Sequence, residues 1–132
     1  MSNQQALRKG DPHRIVLQSV WNPPSLEAPV WCRRFGRPGS VGPQESVFLV
    51  IGNQHIASLS LNNNSLPKPK PNVLYWRHNI TNLLRHRNEL VIVPAAPLRD
   101  YFPDKEILKR VSLPKNIGSV FLEILTKDST ER

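Results

Sequence analysis

The side chains of this sequence that could do chemistry are mainly groups that stack and donate hydrogen bonds. Tyr75 and Arg77 lie two residues apart, so in an extended strand both project from the same face. A phenol ring and a guanidinium group can each pack on a sugar or protein surface while donating hydrogen bonds. Amide and imidazole side chains elsewhere in the chain could add polar contacts, namely those of Asn62, Asn64, His55 and Asn79. These six residues are the candidate ligand-binding residues.

The acidic and histidine side chains do not indicate an enzyme. Hydrolysis of a glycosidic bond uses two carboxyl groups that face each other, and the 10 Asp and Glu residues form no such pair on one predicted strand face. The 4 histidines show no metal-ligand spacing with Cys, Asp or Glu. Carboxylates are sparse in the predicted loops, which argues against calcium, and no Gly-rich phosphate loop is present. We expect no catalysis, no metal and no other cofactor.

The single cysteine, Cys32, excludes an internal disulfide. It lies between Trp31 and Arg33 in a predicted strand, where a small buried hydrophobic side chain is the ordinary interpretation. Arg33 and Arg34 beside it could lower the pKa of the thiol, but no general base accompanies them.

The formal net charge of +8 means that anionic partners must be considered. The basic residues are scattered from Arg8 to Arg132 and no run exceeds two in a row, which is typical of a solvated surface. We therefore expect the partner to be a carbohydrate or a protein. A basic nucleic-acid-binding β-sandwich is the alternative function, and a purely structural or assembly domain is a further one.

The chain shows no targeting or membrane-spanning segment. The N-terminal residues lack the apolar core of a secretory signal, and no stretch approaches the roughly 18 apolar residues of a membrane span. We expect a cytoplasmic protein without a membrane contact. Its oligomeric state is left open by the sequence.

Short β-rich segments separated by turn residues must position the candidate residues. Because the chain has 13 prolines, long helices are disfavoured. About seven strands are predicted, at 14–21, 28–35, 46–52, 55–61, 73–78, 88–93 and 118–125. This spacing predicts an all-β fold, an antiparallel β-sandwich of the jelly-roll kind. We expect a flexible tail at 1–13, one sandwich domain at 14–125 and a flexible tail at 126–132, with a short helix or an ordered loop at 99–110.

Alternation along the strands assigns the predicted core. It places Leu59 on the face opposite Ile56, and it places Leu74 and Trp76 together on the face opposite Tyr75. The residues predicted to be largely buried are Phe35, Phe48, Val50, Leu59, Leu61, Trp76, Leu83, Leu90, Ile92 and Phe121.

A single helical turn is predicted between two of the strands. Asn79 or Thr81 can cap this turn, and Leu83 and Leu84 would attach it to the core.

Several motifs in order resemble one known family. They are the first strand ending in a tryptophan (14–24), Trp31–Phe35 followed by Pro38, Leu61-Asn62-Asn63, Trp76–Thr81, Leu83–Ile92 and the closing strand 118–124. Together these motifs resemble the galactose-binding-domain-like jelly roll that opens glycoside hydrolases of the β-galactosidase, β-glucuronidase and β-mannosidase type. The resemblance covers about residues 14–125. It implies a non-catalytic module that binds through loops at one end of the sandwich, because the catalytic acids of those enzymes lie in a separate barrel domain.

Two positions depart from the family pattern. Asn63 stands where the family has a glycine, and Asn79 stands where it has an aspartate. Asparagine adopts positive φ more readily than most residues, and it caps helical turns about as well as aspartate does. Both departures are compatible with the fold, while the second removes a carboxylate.

Overall fold

Eight strands form the framework of the part of the chain that the computed structural model describes, residues 13–25, 27–39, 42–53, 55–68, 74–95, 110–115 and 117–126. They are β1 (His13–Val16), β2 (Trp31–Gly36), β3 (Glu45–Asn53), β4 (Ile56–Leu61), β5 (Asn64–Ser65), β6 (Tyr75–Asn79), β7 (Arg87–Pro94) and β8 (Gly118–Thr126). A 3₁₀ turn at Thr81–Leu83 is the one helical element within these residues. The predicted all-β architecture is confirmed.

The strands form two four-stranded antiparallel sheets that pack face to face. The first sheet has the order β1-β8-β3-β6 and the second has the order β2-β7-β4-β5. Gly52 pairs with Tyr75 near one end of the sandwich, where β3 leads into β4; we call this the β3–β4 end. Leu61 pairs with Asn64 at the opposite end, which we call the β4–β5 end. The loop that leads into β7 lies at this β4–β5 end as well, because Arg87 pairs with Gly36 where β2 finishes.

The core lies between the sheets and is filled by alternate residues of the strands. On β3 these are Val47, Leu49 and Ile51, none of which has any exposed surface. The side chains that join them in one cluster are Leu17, Trp21, Trp31, Ile56, Leu59, Leu61, Trp76, Ile80, Leu90, Ile92, Leu113, Ile117, Val120, Leu122 and Ile124. Burial of this much aliphatic and aromatic surface is the main force that holds the two sheets together.

Three predicted core residues, Phe48, Val50 and Phe121, lie on the outer face of the first sheet instead. Phe48 and Phe121 are only partly buried, because each alternates with inward residues on its strand. Val50 shares their face, yet it is 5% exposed because neighbouring side chains cover it. The sequence could not assign the faces of β3, since this strand is apolar on both sides. Phe35 and Leu83 are also partly buried and pack against the margin of the core.

Irregularities in the strands account for two further differences in face assignment. The pairing of β4 with β7 shifts between Ile56 and Ser58, which marks a β-bulge. Because the bulge adds one residue, Ile56 points into the core together with Leu59, although strict alternation predicted opposite faces. Leu74 precedes β6 and is 78% exposed, so the prediction that it packs beside Trp76 was wrong.

The predicted strand 14–21 is interrupted in the structure. β1 ends at Val16, and Val20 has a positive φ of 66°. After this bend Trp21 forms an isolated bridge with Val111, and Asn22 forms one with Cys32 of the second sheet. The chain therefore crosses from the first sheet to the second within this segment. The indole of Trp21 is completely buried and donates a 2.7 Å hydrogen bond to the carbonyl oxygen of Leu17.

The described strands reach slightly beyond the predicted domain limits. His13 pairs with Ile124, and Thr126 pairs with Glu45. The predicted tails at 1–12 and 127–132 lie outside the described residues, as does most of the segment 99–110. Within the described part of the chain, no helix has the length and apolar character needed to cross a membrane.

Candidate ligand-binding site

The six sequence-predicted ligand-binding residues do not form one site. Tyr75 and Arg77 lie on β6, at the edge of the first sheet, and Tyr75 is 49% exposed. His55 is exposed at the β3–β4 end. Asn62 and Asn64 lie at the opposite, β4–β5 end of the second sheet. A ligand-binding role for each residue remains a prediction, but a single ligand of small size could not contact all of them.

The guanidinium of Arg77 already contacts two neighbouring side chains on the outer face of the first sheet. Its Nη2 lies 3.1 Å from Oε1 of Glu123, and its Cζ lies 3.9 Å from the centre of the Phe48 ring. Arg14 approaches the same carboxylate from the other side, with 3.3 Å between Nη2 and Oε2. Glu123 is only 8% exposed, so these two arginines compensate its charge. Arg77 thus has a structural role on this face.

Asn79 organises the 3₁₀ turn, as a capping residue was predicted to do. Its Oδ1 accepts hydrogen bonds from the backbone nitrogen of Thr81, at 3.1 Å, and from the Thr81 hydroxyl, at 2.6 Å. The hydroxyl oxygen of Thr81 in turn accepts a 2.8 Å hydrogen bond from the backbone nitrogen of Val47. The turn is therefore attached to β3. Ile80, which immediately precedes the turn, makes no side-chain capping bond.

The Asn62-Asn63 pair forms the tight turn between β4 and β5. Both residues have positive φ, 52° and 68°, which is the geometry of a type I′ hairpin turn. The Nδ2 of Asn64 lies 3.2 Å from the carbonyl oxygens of Leu61 and of Asn62. Asn63 thus adopts the positive φ that the sequence analysis expected an asparagine to tolerate at this position.

A cavity of about 700 Å³ opens at the β4–β5 end of the second sheet. Most of the described residues in its wall are polar or cationic, and Phe35 is the one large apolar side chain among them. The lining residues are Arg34, Phe35, Gly36, Arg37, Asn62, Asn63, Arg85, His86, Arg87, Asn88 and Glu89. Small-ligand sites commonly have volumes in this range, but most have largely apolar walls. Polar contacts and charge must therefore provide most of the affinity for any ligand here.

Two segments brought together by the second sheet form adjacent parts of the cavity lining. β2 ends at Gly36, which pairs with Arg87 at the beginning of β7. Just beyond, the backbone nitrogen of Arg37 donates a 3.1 Å hydrogen bond to the carbonyl oxygen of His86. The side chains of Arg37, Arg85, His86 and Arg87 are all exposed around the opening.

Two buried asparagines hold the loop that carries these side chains. The Oδ1 of Asn88 accepts a 2.8 Å hydrogen bond from the backbone nitrogen of Arg85, and its Nδ2 donates to the Arg85 carbonyl oxygen at 3.0 Å. Asn62 donates to the Leu83 carbonyl oxygen at 2.9 Å and accepts from the Glu89 backbone nitrogen at 2.9 Å. Asn62 therefore has a structural role at the base of the cavity.

Glu89 is the only carboxylate that lines the cavity among the described residues. Its Oε2 accepts a hydrogen bond from the thiol of Cys32 at 3.2 Å and lies 3.6 Å from Nε of Arg34. Burial and the adjacent Glu89 raise the pKa of Cys32 from 9.0 to about 11, and the nearby Arg34 offsets this only in part. The thiol is thus protonated at neutral pH, and it is not an activated nucleophile.

The four arginines that line the cavity were not among the candidate residues derived from the sequence. Arg34 was noted there as a neighbour of Cys32, and Arg37, Arg85 and Arg87 were counted among the scattered basic residues. Their convergence depends on the pairing of β2 with β7, which joins residues about fifty positions apart in the chain. The basic residues near the end of predicted strand 28–35 and before predicted strand 88–93 were the available signal for this site. The sequence did not indicate that these two strand ends are neighbours.

The fold is that of an antiparallel β-sandwich similar to a part of a glycoside hydrolase, in agreement with the resemblance found in the sequence. The solved structure concerned is the FMN-binding beta-glucuronidase from Facaelibacterium prausnitzii L2-6, with a TM-score of 0.59 and 16% sequence identity. The match covers 89% of this chain and 23% of that chain, so this chain spans about a quarter of its length. At this identity the similarity shows the fold alone. No family model and no curated protein matches the sequence.

Metal-binding side chains are not clustered in the described ranges between residues 13 and 126. No group of three or more His, Cys, Asp or Glu residues there could hold a metal ion.

Proposed function

We propose that this chain is a galactose-binding-like jelly-roll module that binds a carbohydrate without turnover, in the cavity at the β4–β5 end. The cavity is the observation that carries the proposal, because it is concave, of small-ligand size and lined by hydrogen-bonding side chains. Fold similarity to part of a β-glucuronidase supports a carbohydrate as the ligand.

The chemistry of the lining suits a sugar. Sugar hydroxyl groups both donate and accept hydrogen bonds, so they need a wall rich in polar groups. The guanidinium groups of Arg34 and Arg37 and the amide of Asn63 are exposed and offer donors. Phe35, partly buried between them and the core, offers a small apolar surface for the carbon face of a ring.

Binding without turnover is supported by the shortage of carboxyl groups in the cavity. Most glycoside hydrolases use two carboxyl groups that flank the scissile bond. The described lining contains Glu89 alone, and this side chain already bonds to Cys32 and Arg34. No second acid accompanies it among the described lining residues.

A nucleic acid is the second candidate ligand, and the four arginines of the same cavity favour it. Neutralisation of phosphates by arginine would make such binding strongly dependent on salt. Tyr75 and Arg77, which the sequence predicted as contacts for a carbohydrate or a protein partner, lie on β6 and form a separate surface to test. A variant of each surface can distinguish these functions.

The test is a screen of the whole chain against a glycan array, followed by calorimetric titration of any sugar that binds. Three double variants are compared: Arg37→Gln with Arg87→Gln in the cavity, Tyr75→Ala with Arg77→Ala on β6, and Lys68→Gln with Lys115→Gln as a charge-matched control. We expect only the cavity variant to lose binding of the sugar. Absence of binding to any glycan, by a protein with a cooperative thermal transition, would reject the proposal.

A further inference from the structure

We infer that this cavity selects an anionic carbohydrate, one whose sugar rings carry a carboxylate or a sulfate ester. The inference rests on the proposed carbohydrate-binding function and adds the chemical class of the ligand. The residues assigned to the anion are Arg37, Arg85 and Arg87, here called the cavity arginines. Carboxylate and sulfate present the same planar pairs of oxygen atoms to a guanidinium, and both are considered together.

The charges of the cavity arginines are uncompensated in the part of the chain that the structure describes. Arg14 and Arg77 share Glu123, and Arg34 pairs with Glu89. No carboxylate of the described residues forms an ion pair with any of the cavity arginines. Glu89 cannot serve all of them, since Arg34 and the Cys32 thiol already occupy its Oε2. An anionic ligand would supply the missing countercharge.

The cavity arginines lie on two adjacent segments of the lining. Arg37 follows the end of β2, whereas Arg85 and Arg87 flank His86 in the loop that leads into β7. The hydrogen bond from the Arg37 nitrogen to the His86 carbonyl oxygen keeps these two segments adjacent. Guanidinium groups from both segments can therefore approach a single anion, and a concave wall in which positive charge predominates concentrates the potential at its mouth.

The loop is fixed before any ligand arrives. Asn88 is 2% exposed and bonds to both the backbone nitrogen and the carbonyl oxygen of Arg85. Its Nδ2 also donates to the carbonyl oxygen of Phe35 at 3.3 Å, which connects the loop to β2. Because the backbone that carries the cavity arginines is already ordered, binding requires ordering of side chains only, and the entropic cost is correspondingly small.

A charged sugar fits the cavity better than a nucleic acid does. Proteins that bind single strands combine a basic groove with several aromatic side chains on which successive bases stack. Among the described residues, Phe35 is the one Phe, Tyr or Trp that lines this cavity, and it is partly buried. On the first sheet, Arg14 and Arg77 are paired with Glu123 and so do not extend the cationic surface of the cavity. A compact ligand with one or a few anionic groups matches this arrangement.

The experiment compares ligands that differ only in their charge. Oligogalacturonate and its methyl ester share one backbone, and esterification removes the negative charge of the carboxylates. Chondroitin sulfate and unsulfated chondroitin provide the matched pair for sulfate. Each is titrated calorimetrically into the whole chain at low and at physiological salt, with a single-stranded oligonucleotide titrated in parallel.

We expect at least one charged member of a pair to bind about tenfold or more tightly than its less charged counterpart, because hydrogen bonds to charged groups are the stronger ones. Arg37→Gln with Arg87→Gln should abolish this preference. Arg37→Lys with Arg87→Lys should retain part of it, since charge remains but the planar fork is lost. The control pair Lys68→Gln with Lys115→Gln should keep the full preference, and all variants should show cooperative thermal unfolding.

Each of the remaining outcomes contradicts a different part of the inference. Equal binding of the more charged and the less charged member of every pair leaves the carbohydrate function standing but rejects selection of an anion. A preference that survives in the Arg37, Arg87 glutamine variant rejects the assignment to the cavity. Failure of every glycan to bind rejects the proposed function as well, and tighter binding of the oligonucleotide, lost in that variant, would identify a nucleic-acid site.

Discussion

Asn62 donates a hydrogen bond from its side-chain amide to the side-chain oxygen of Asn88, with 3.0 Å between Nδ2 and Oδ1. Both residues are nearly completely buried, at 7% and 2% exposure. The bond connects the β4–β5 turn to the beginning of β7, so it joins two parts of the cavity wall. Asn88 uses both donor hydrogens and both acceptor positions of its amide in these contacts. Such a satisfied buried network fixes a single arrangement of the loops.

The first prediction is that Asn88→Ala destabilises the domain by roughly 1–3 kcal/mol, the cost of leaving buried polar partners unsatisfied. Asn88→Asp should be at least as harmful. It retains an acceptor but directs a negatively charged oxygen at the carbonyl oxygens of Phe35 and Arg85. Chemical denaturation measures both free energies of unfolding.

Asn82→Ala is the matched control for this prediction, because Asn82 is exposed in the 3₁₀ turn. It should change the free energy of unfolding by less than about 0.5 kcal/mol. If Asn88→Ala were as stable as this control, the network would not hold the loop, and the claim that the cavity is ordered before binding would be wrong.

The Asn62–Asn88 pair illustrates what the sequence could indicate about the site. The turn at 62–64 was predictable, because consecutive asparagines favour positive φ and their effect is local. Asn62 was predicted as a ligand-binding residue, yet its amide is committed to Asn88, 26 residues away. Which side chains face each other across two loops depends on strand pairing, and no local pattern encodes that pairing.

The second prediction concerns the reactivity of Cys32. With its pKa raised to about 11, the thiol has about 100-fold less thiolate at a given neutral pH than it would at the ordinary 9.0. The higher intrinsic nucleophilicity of such a thiolate offsets roughly half of this effect on a logarithmic scale, so alkylation should be about tenfold slower than for an unperturbed thiol. Incomplete exposure of the side chain would slow it further. Mass spectrometry after timed treatment with iodoacetamide measures the rate.

Glu89→Gln should accelerate this alkylation, because it removes the negative charge beside the thiol while Arg34 remains. Glu45→Gln, which changes a carboxylate on the other sheet, serves as the control. The unfolded chain in denaturant gives the rate of a free thiol. Equal rates for the folded and unfolded protein would show that neither burial nor Glu89 protects Cys32.

The third prediction is that Val20→Gly stabilises the protein. Val20 has a φ of 66°, so its β-branched side chain is held in left-handed geometry. The side chain is 44% exposed, so burial offsets little of this strain. Glycine relieves a strain of about 1–2 kcal/mol and costs about 0.5–1 kcal/mol in chain entropy. The net gain should raise the melting temperature by a few degrees in a calorimetric scan.

Val16→Gly provides the opposite control, since Val16 is 68% exposed but lies in β1 with ordinary strand geometry. It should lower the melting temperature, because glycine weakens a strand. A decrease for Val20→Gly similar to that for Val16→Gly would mean that position 20 is not strained.

Val20 also shows why parts of the fold escaped prediction. Five of the predicted strands, 46–52, 55–61, 73–78, 88–93 and 118–125, correspond to observed strands within about two residues, because strong alternation or continuous β-branched runs mark them. Segment 14–21 has an equally regular pattern, but it bends at Val20 so that Trp21 can pack between the sheets. In this segment tertiary packing determines the backbone conformation, and the local sequence pattern does not indicate it.

The last prediction concerns His78, whose ring packs edge-on against Trp76 with 6.0 Å between the ring centres. Its Nε2 is buried without a hydrogen-bond partner among the described residues, and burial lowers the pKa of His78 below the ordinary 6.5. Above that pH, both the folded and the unfolded chain hold a neutral imidazole. As the pH falls below 6.5, the unfolded chain takes up a proton that the folded chain does not, so the free energy of unfolding decreases until the folded-state pKa is reached.

Denaturant titrations at pH 7 and at about pH 5 should therefore show a larger loss of stability for the wild type than for His78→Gln, which cannot titrate there. His55→Gln, at an exposed histidine, controls for the loss of an imidazole as such. If the wild type and His78→Gln lost equal stability between the two pH values, burial of His78 would not contribute to acid sensitivity.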